Sequence, residues 1–143
     1  MGLINTGIKK ISQFFGPKEF IMPIVRDVSY LGEDTSLDNM LKNDNVLLIF
    51  TAQWCGACKY LENYINKDKE MEELLTKYDV NVLKVRNPSK HYNYLLKNFG
   101  PKDPIDVIPK LVAWKAGERV GEYRGAPPTL IFIEKIEKWY DVN

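Results

Sequence analysis

Two cysteines, Cys55 and Cys58, are the only ones in the chain, and they stand together in Trp54-Cys55-Gly56-Ala57-Cys58-Lys59. A dithiol that exchanges with disulfides needs one thiolate open to attack a partner and a second thiol close enough to displace the first from the mixed disulfide. The C-x-x-C spacing at the start of a helix meets both needs. There the first sulfur lies against unpaired backbone N–H groups and the positive end of the helix dipole, which favour S⁻ over SH. Cys55 is therefore the expected nucleophile, ionising below the roughly 8.5 of a free thiol. Cys58, one turn further in, is the expected resolving thiol. Gly56 and Ala57 add neither charge nor bulk, so a partner's disulfide can approach. A structural zinc site wants about four ligands, whereas the chain offers one histidine and no third cysteine. No metal and no cofactor are expected. A pair of inert reduced thiols is the remaining alternative.

The elements around the pair follow from hydrophobic patterning. Val46 to Phe50 is an uninterrupted apolar run, as in a central strand covered on both faces. From Cys55 to Tyr78, Leu61, Tyr64, Ile65, Met71, Leu74 and Leu75 repeat at helical spacing, which predicts one long helix. The cysteines thus fall where a strand turns into a helix. Val80 to Val85 reads as a second buried strand, and Asn87-Pro88-Ser89 as the opening of a helix that runs to Phe99 and stops at Gly100-Pro101. This strand–helix order favours parallel neighbours joined by right-handed crossovers. After a loop from Pro101 to Asp106, the segments Lys110 to Lys115 and Glu118 to Arg124 flank Ala116-Gly117, a two-residue hairpin signal. Thr129 to Tyr140 predicts a closing helix through Leu130, Ile133, Ile136 and Trp139. Upstream, Phe20 to Val25 reads as a first strand, limited to an edge or an early position by Pro23, and Thr35-Ser36-Leu37-Asp38 caps a short helix.

The chain has 143 residues and is 45% hydrophobic, enough for one domain with its own core. A net charge of +1 from 20 basic and 19 acidic residues builds no field that would select nucleic acid. No stretch has the roughly 20 apolar residues of a membrane span, and no compact apolar run precedes a cleavage site. Two cysteines are too few for a secreted disulfide scaffold, so a cytoplasmic location is expected. Residues 1–19 form an N-terminal extension and residues 20–143 the domain. Met1-Gly2-Leu3-Ile4-Asn5-Thr6 fits a myristoylation pattern, and Ile4, Ile8, Ile11 and Phe15 are spaced so that a helix there would carry them as one apolar stripe. The pattern is short and degenerate, so a helix packing on the domain or on a partner is preferred to membrane attachment. Lone His91 reads as a surface residue, and Trp114 and Trp139 read as core.

Phe50 to Lys59, following its apolar strand, resembles the thioredoxin family, and so do Val107-Ile108-Pro109-Lys110 ahead of the hairpin and Gly125 after the last strand. The resemblance runs from about Phe20 to the C-terminus. It implies an α/β thioredoxin fold, a central mixed β-sheet flanked by helices. It implies a cis peptide bond between Ile108 and Pro109 facing the cysteines, with the Ile108 backbone free to pair with a substrate segment. It implies Trp54 as a substrate platform, and Lys59 and Lys84 as cations that tune the thiols. The activity implied is reduction of disulfide-containing protein substrates through a mixed disulfide, with a recycling reductase or glutathione restoring the pair. A dedicated oxidase or isomerase in a thiol relay, and a non-catalytic assembly subunit, are the competing readings.

Three departures stand out. The family places a buried Asp six residues before the first cysteine, where this chain has Ile49. Extra residues lie between Gly100 and Asp106, beside Pro109. Asn63 replaces a helix-kinking proline, which predicts a straighter long helix.

Overall fold

The computed structural model describes residues 23–31 and 34–141. The Gly2 pattern, the stripe from Ile4 to Phe15, and Phe20 to Met22 of the expected first strand lie outside them. Elements follow in the order β1 (Val25–Asp27), a 3₁₀ turn (Val28–Tyr30), α1 (Asp34–Asn43), β2 (Asn45–Ala52), α2 (Gly56–Lys67), α3 (Lys69–Lys77), β3 (Val80–Asn87), α4 (Tyr92–Phe99), β4 (Lys110–Lys115), β5 (Glu118–Arg124) and α5 (Thr129–Tyr140).

The five strands form one mixed sheet in the order β1-β3-β2-β4-β5. β3 runs parallel to both β1 and β2, while β4 is antiparallel to β2 and β5 antiparallel to β4. β2 is central and buried from Val46 to Ala52 because its alternate side chains serve two cores. Leu47 and Ile49 join Leu61, Ile65, Phe132 and Ile136 on one face, and Val46, Leu48 and Phe50 join Leu37, Leu41 and Leu95 on the other. Trp114 and Trp139 are buried, one in each core. The Tyr140 hydroxyl donates to the Val46 carbonyl at 2.7 Å and ties α5 to the start of β2; burial pushes this phenol well above its ordinary range. Ala116 and Gly117 both adopt positive φ, as a tight hairpin with matched twist requires.

Several expectations need correction. The first strand occupies Val25–Asp27, so Pro23 and Ile24 precede it, and Thr35 and Ser36 lie inside α1 instead of capping it. The long helix is not continuous, because Asp68 divides it, although its first part runs unbroken through Asn63. The Asp68 backbone N–H donates to the Tyr64 carbonyl and ends α2, and its side chain accepts from the N–H groups of Glu70 and Met71 and starts α3. An acidic cap serves both helices. The helix expected to open at Asn87 begins only at Tyr92, since β3 extends through Asn87. The residue before a proline disfavours helical backbone, so the strand runs on to it.

Candidate active site

The chain turns from β2 into α2 over three residues. The Cys55 N–H donates to the Ala52 carbonyl at 3.2 Å, and the Lys59 N–H reaches back to the Cys55 carbonyl at the same distance. Cys55, in extended backbone, is thereby the N-cap of α2, and its sulfur accepts the Cys58 N–H at 3.1 Å. A side-chain oxygen usually fills this role; here a sulfur does, where the positive end of the helix dipole is strongest. Cys55 and Cys58 are joined as a disulfide with their Cα atoms 5.3 Å apart. In this oxidised form they are 6% and 5% exposed, packed with Ala52 and Ile108.

A second segment closes the site. The Ile108–Pro109 bond is cis, and the Ile108 carbonyl oxygen lies 3.9 Å from the Cys55 sulfur. The Pro109 carbonyl accepts the Gly125 N–H at 2.8 Å, with Gly125 at φ 92°, a conformation that suits glycine. This fastens the Ile108–Pro109 turn to the end of β5. Outside, Trp54 is 78% exposed, and Gly56, Ala57 and Lys59 are exposed as well. The sulfurs thus sit beside exposed side chains that are small, as at Gly56 and Ala57, or flat, as at Trp54.

Lys84 stands on β3, opposite Ile49 on β2 and Asp27 on β1, so the three side chains share the sheet face beneath α2. Its ammonium donates to both carboxylate oxygens of Glu62 at 2.9 Å. Glu62 was not singled out from the sequence, although it follows Cys58 by four residues and therefore lies on the same helical face. Asp27 pairs instead with Arg86 at 3.4 Å and accepts the Ser29 N–H. Tyr64, further along α2, donates to the Pro127 carbonyl at 2.7 Å, and burial raises its phenol above the ordinary range.

The Gly100 to Asp106 loop is clamped to β5. Glu122 accepts from the Lys102 backbone N–H and pairs with buried Lys110 at 3.4 Å. Arg119 pairs with the same carboxylate and donates to the Gly100 carbonyl at 3.1 Å, while Arg124 holds Asp106 at 3.0 Å. The sequence marks Lys110 as the start of a strand but not its pairing with Glu122; the two are 12 residues apart in the chain and meet only through the β4–β5 register. Among the described residues, no group of three or more His, Cys, Asp or Glu could hold a metal ion, and no helix is long and apolar enough to cross a membrane.

The sequence profile of the thioredoxin family matches residues 29–138. The chain belongs to the thioredoxin family. It is 31% identical over 97 residues to a putative thioredoxin-4 of Dictyostelium discoideum, covering 66% of this chain and 81% of that one. It is 32% identical over 110 residues to a thioredoxin of Staphylococcus saprophyticus, covering 73% and 91% respectively. Among solved structures, spinach chloroplast thioredoxin F superposes with a TM-score of 0.57 at 27% identity, over 83% of this chain and 96% of that one. As a member of this family with a linked C-x-x-C pair, the chain is a thiol–disulfide oxidoreductase.

Proposed function

We propose that the protein is a reductase of protein disulfides. The observation that carries this reading is the Cys55 sulfur at the mouth of α2, accepting a backbone N–H and lying against the Ile108 carbonyl. In the reduced form the Cys55 thiolate attacks a disulfide of the substrate protein, one substrate sulfur leaves, and a mixed disulfide forms. Cys58 then attacks Cys55, the second substrate sulfur leaves as a thiol, and the Cys55–Cys58 disulfide remains. Trp54, Gly56 and Ala57 form the platform over which the substrate strand passes, and Ile108 and Pro109 offer it main-chain contacts. A recycling reductase or glutathione returns two electrons to the pair. A reducing compartment, with the cytoplasm as the simplest choice, suits a chain whose only cysteines are these two.

A second reading, a dedicated oxidase or isomerase in a thiol relay, is favoured by one feature, the charge-clamped loop beside Pro109, which narrows the range of partners. The reduction potential separates the two. A value near about −270 mV supports the reductase, and one above about −200 mV supports the relay. Replacing both cysteines with serine provides the other control, because biological function that survives the change removes redox chemistry from the account.

A further inference from the structure

The second half of the exchange poses a problem that the cysteines do not solve by themselves. Cys58 must shed a proton to attack, yet it is buried among Ala52, Cys55 and Ile108, and Ile49, six residues before Cys55 on the strand that leads into the site, is apolar and packed in the core with Leu61 and Ile65. A buried thiol without a proton acceptor resists ionisation. Among the described residues, the charged groups on this side of the fold are Lys59 and Glu62 from α2, Lys84 and Arg86 from β3, and Asp27 from β1; α2 also carries the phenols of Tyr60 and Tyr64, while β2 presents Ile49 and Thr51. Lys59 points to solvent and cannot accept a proton in its ammonium form. Asp27 is engaged with Arg86 and the Ser29 N–H at the sheet edge, with Lys84 between it and β2.

Glu62 is different. It lies one turn along α2 from Cys58 on the same face, and Lys84 grips both its oxygens from below, which holds the carboxylate between helix and sheet rather than in open solvent. Lys84 in turn shares its row with Ile49, so the carboxylate reaches down from the helix at the place where the strand has none. We propose that Glu62 is the base that receives the Cys58 proton during resolution, positioned for it by Lys84. The inference rests on the reading of Cys55 and Cys58 as an exchanging pair. The step balances: the S–H proton of Cys58 passes to the Glu62 carboxylate, the Cys58 thiolate bonds to the Cys55 sulfur, and the bond from Cys55 to the partner sulfur breaks with its electron pair on the partner.

The test uses the reduced full chain and an aromatic disulfide, 5,5′-dithiobis(2-nitrobenzoate), whose two coloured thiolates leave one at a time. The first release reports attack by Cys55 and the second reports resolution by Cys58. In Glu62→Gln the second release should slow about 10-fold or more at neutral pH, with its pH profile displaced to higher pH, while the first stays within about 2-fold of the unaltered protein. Adding a carboxylate at the apolar position, Ile49→Asp in the Glu62→Gln background, should recover most of the second rate. An unchanged second release with an unmoved pH profile in Glu62→Gln overturns the proposal. So does an equal slowing of both releases at every pH, which marks a purely structural role. If the unaltered protein gives neither release, the reading of the cysteines fails, and the inference goes with it.

Discussion

The cysteine corner and the loop beside it lie on either side of Pro109, and the protein holds them by opposite means. Around Cys55 the fixing contacts are main-chain ones: Cys55 to Ala52, Lys59 to Cys55, Gly125 to Pro109, and the Cys58 N–H on the sulfur. Around Gly100 to Asp106 they are charged side chains, with Glu122, Arg119, Lys110, Arg124 and Asp106 all engaged. Backbone donors hold a sulfur in place without competing for its charge or changing protonation over the working pH range. Ion pairs anchor a longer segment whose own backbone has no strand to join, and they depend on burial and pH. Chemistry is thus placed where main-chain bonds fix the geometry, and the loop is fastened by side chains that substitution can retune.

The sharpest way to break this division is Cys55→Ser. Disulfide exchange with the aromatic probe should disappear, while near-ultraviolet circular dichroism of the loop side, where Trp114 stacks edge-on with Phe99, stays unchanged. Glu122→Gln attacks the other side. It strips Lys110 of its partner in a buried position, and breaking such a pair costs on the order of 3 kcal/mol, read from urea unfolding. Adding Lys110→Met should return most of that loss, because an apolar pair of similar volume tolerates burial. Gly125→Ala tests the backbone side. A Cβ there meets open space, but φ at 92° is unfavourable for any L side chain, so about 1–2 kcal/mol should be lost. The attack rate of Cys55 should fall too as the Pro109 turn loosens.

The smallest effect belongs to the Asp106–Arg124 pair. The hydrogen bond from Arg124 is the main reason the Asp106 carboxyl titrates below the usual carboxylate range. A carboxyl depressed in the folded state adds stability above its unfolded value, near about 3.9, and that stability is lost as pH falls through the folded value. Asp106→Asn should therefore lower the midpoint of thermal unfolding slightly at neutral pH, and the difference from the unaltered protein should close in acid. A difference that instead widened in acid would show that this exposed pair does not follow the rest of the clamp.

Much of the scaffold could be read from local pattern. The unbroken apolar run at Val46 to Phe50 and the Ala116-Gly117 turn each demand one structure, and both are present. The break at Asp68 was missed although its mark is in the chain: buried positions fall at Leu61 and Ile65, then only at Met71 and Leu75, and the wider gap contains the capping aspartate. Periodicity hid an interruption that nearly preserved phase. The cysteine pair was legible because its spacing is local, and Glu62 could have been found by the same four-residue rule from Cys58. The clamp could not, since Glu122 and the Lys102 backbone meet across 20 residues and only after the hairpin has paired.

The sulfur that caps α2 also ties the helix to the electron balance of the pair. With Cys55 as a thiolate in the dithiol form, the same Cys58 N–H would meet a full negative charge, so the helix terminus is expected to be anchored more tightly in the dithiol than in the disulfide. The extra anchoring of the folded dithiol and the shift of its potential from that of the unfolded chain are two edges of one thermodynamic cycle. Each 1.4 kcal/mol or so gained at the terminus makes the pair about 30 mV more oxidising. A substitution in the first turn of α2 that changes helix stability in one redox state alone would then be readable, at a distance from either sulfur, as a voltage.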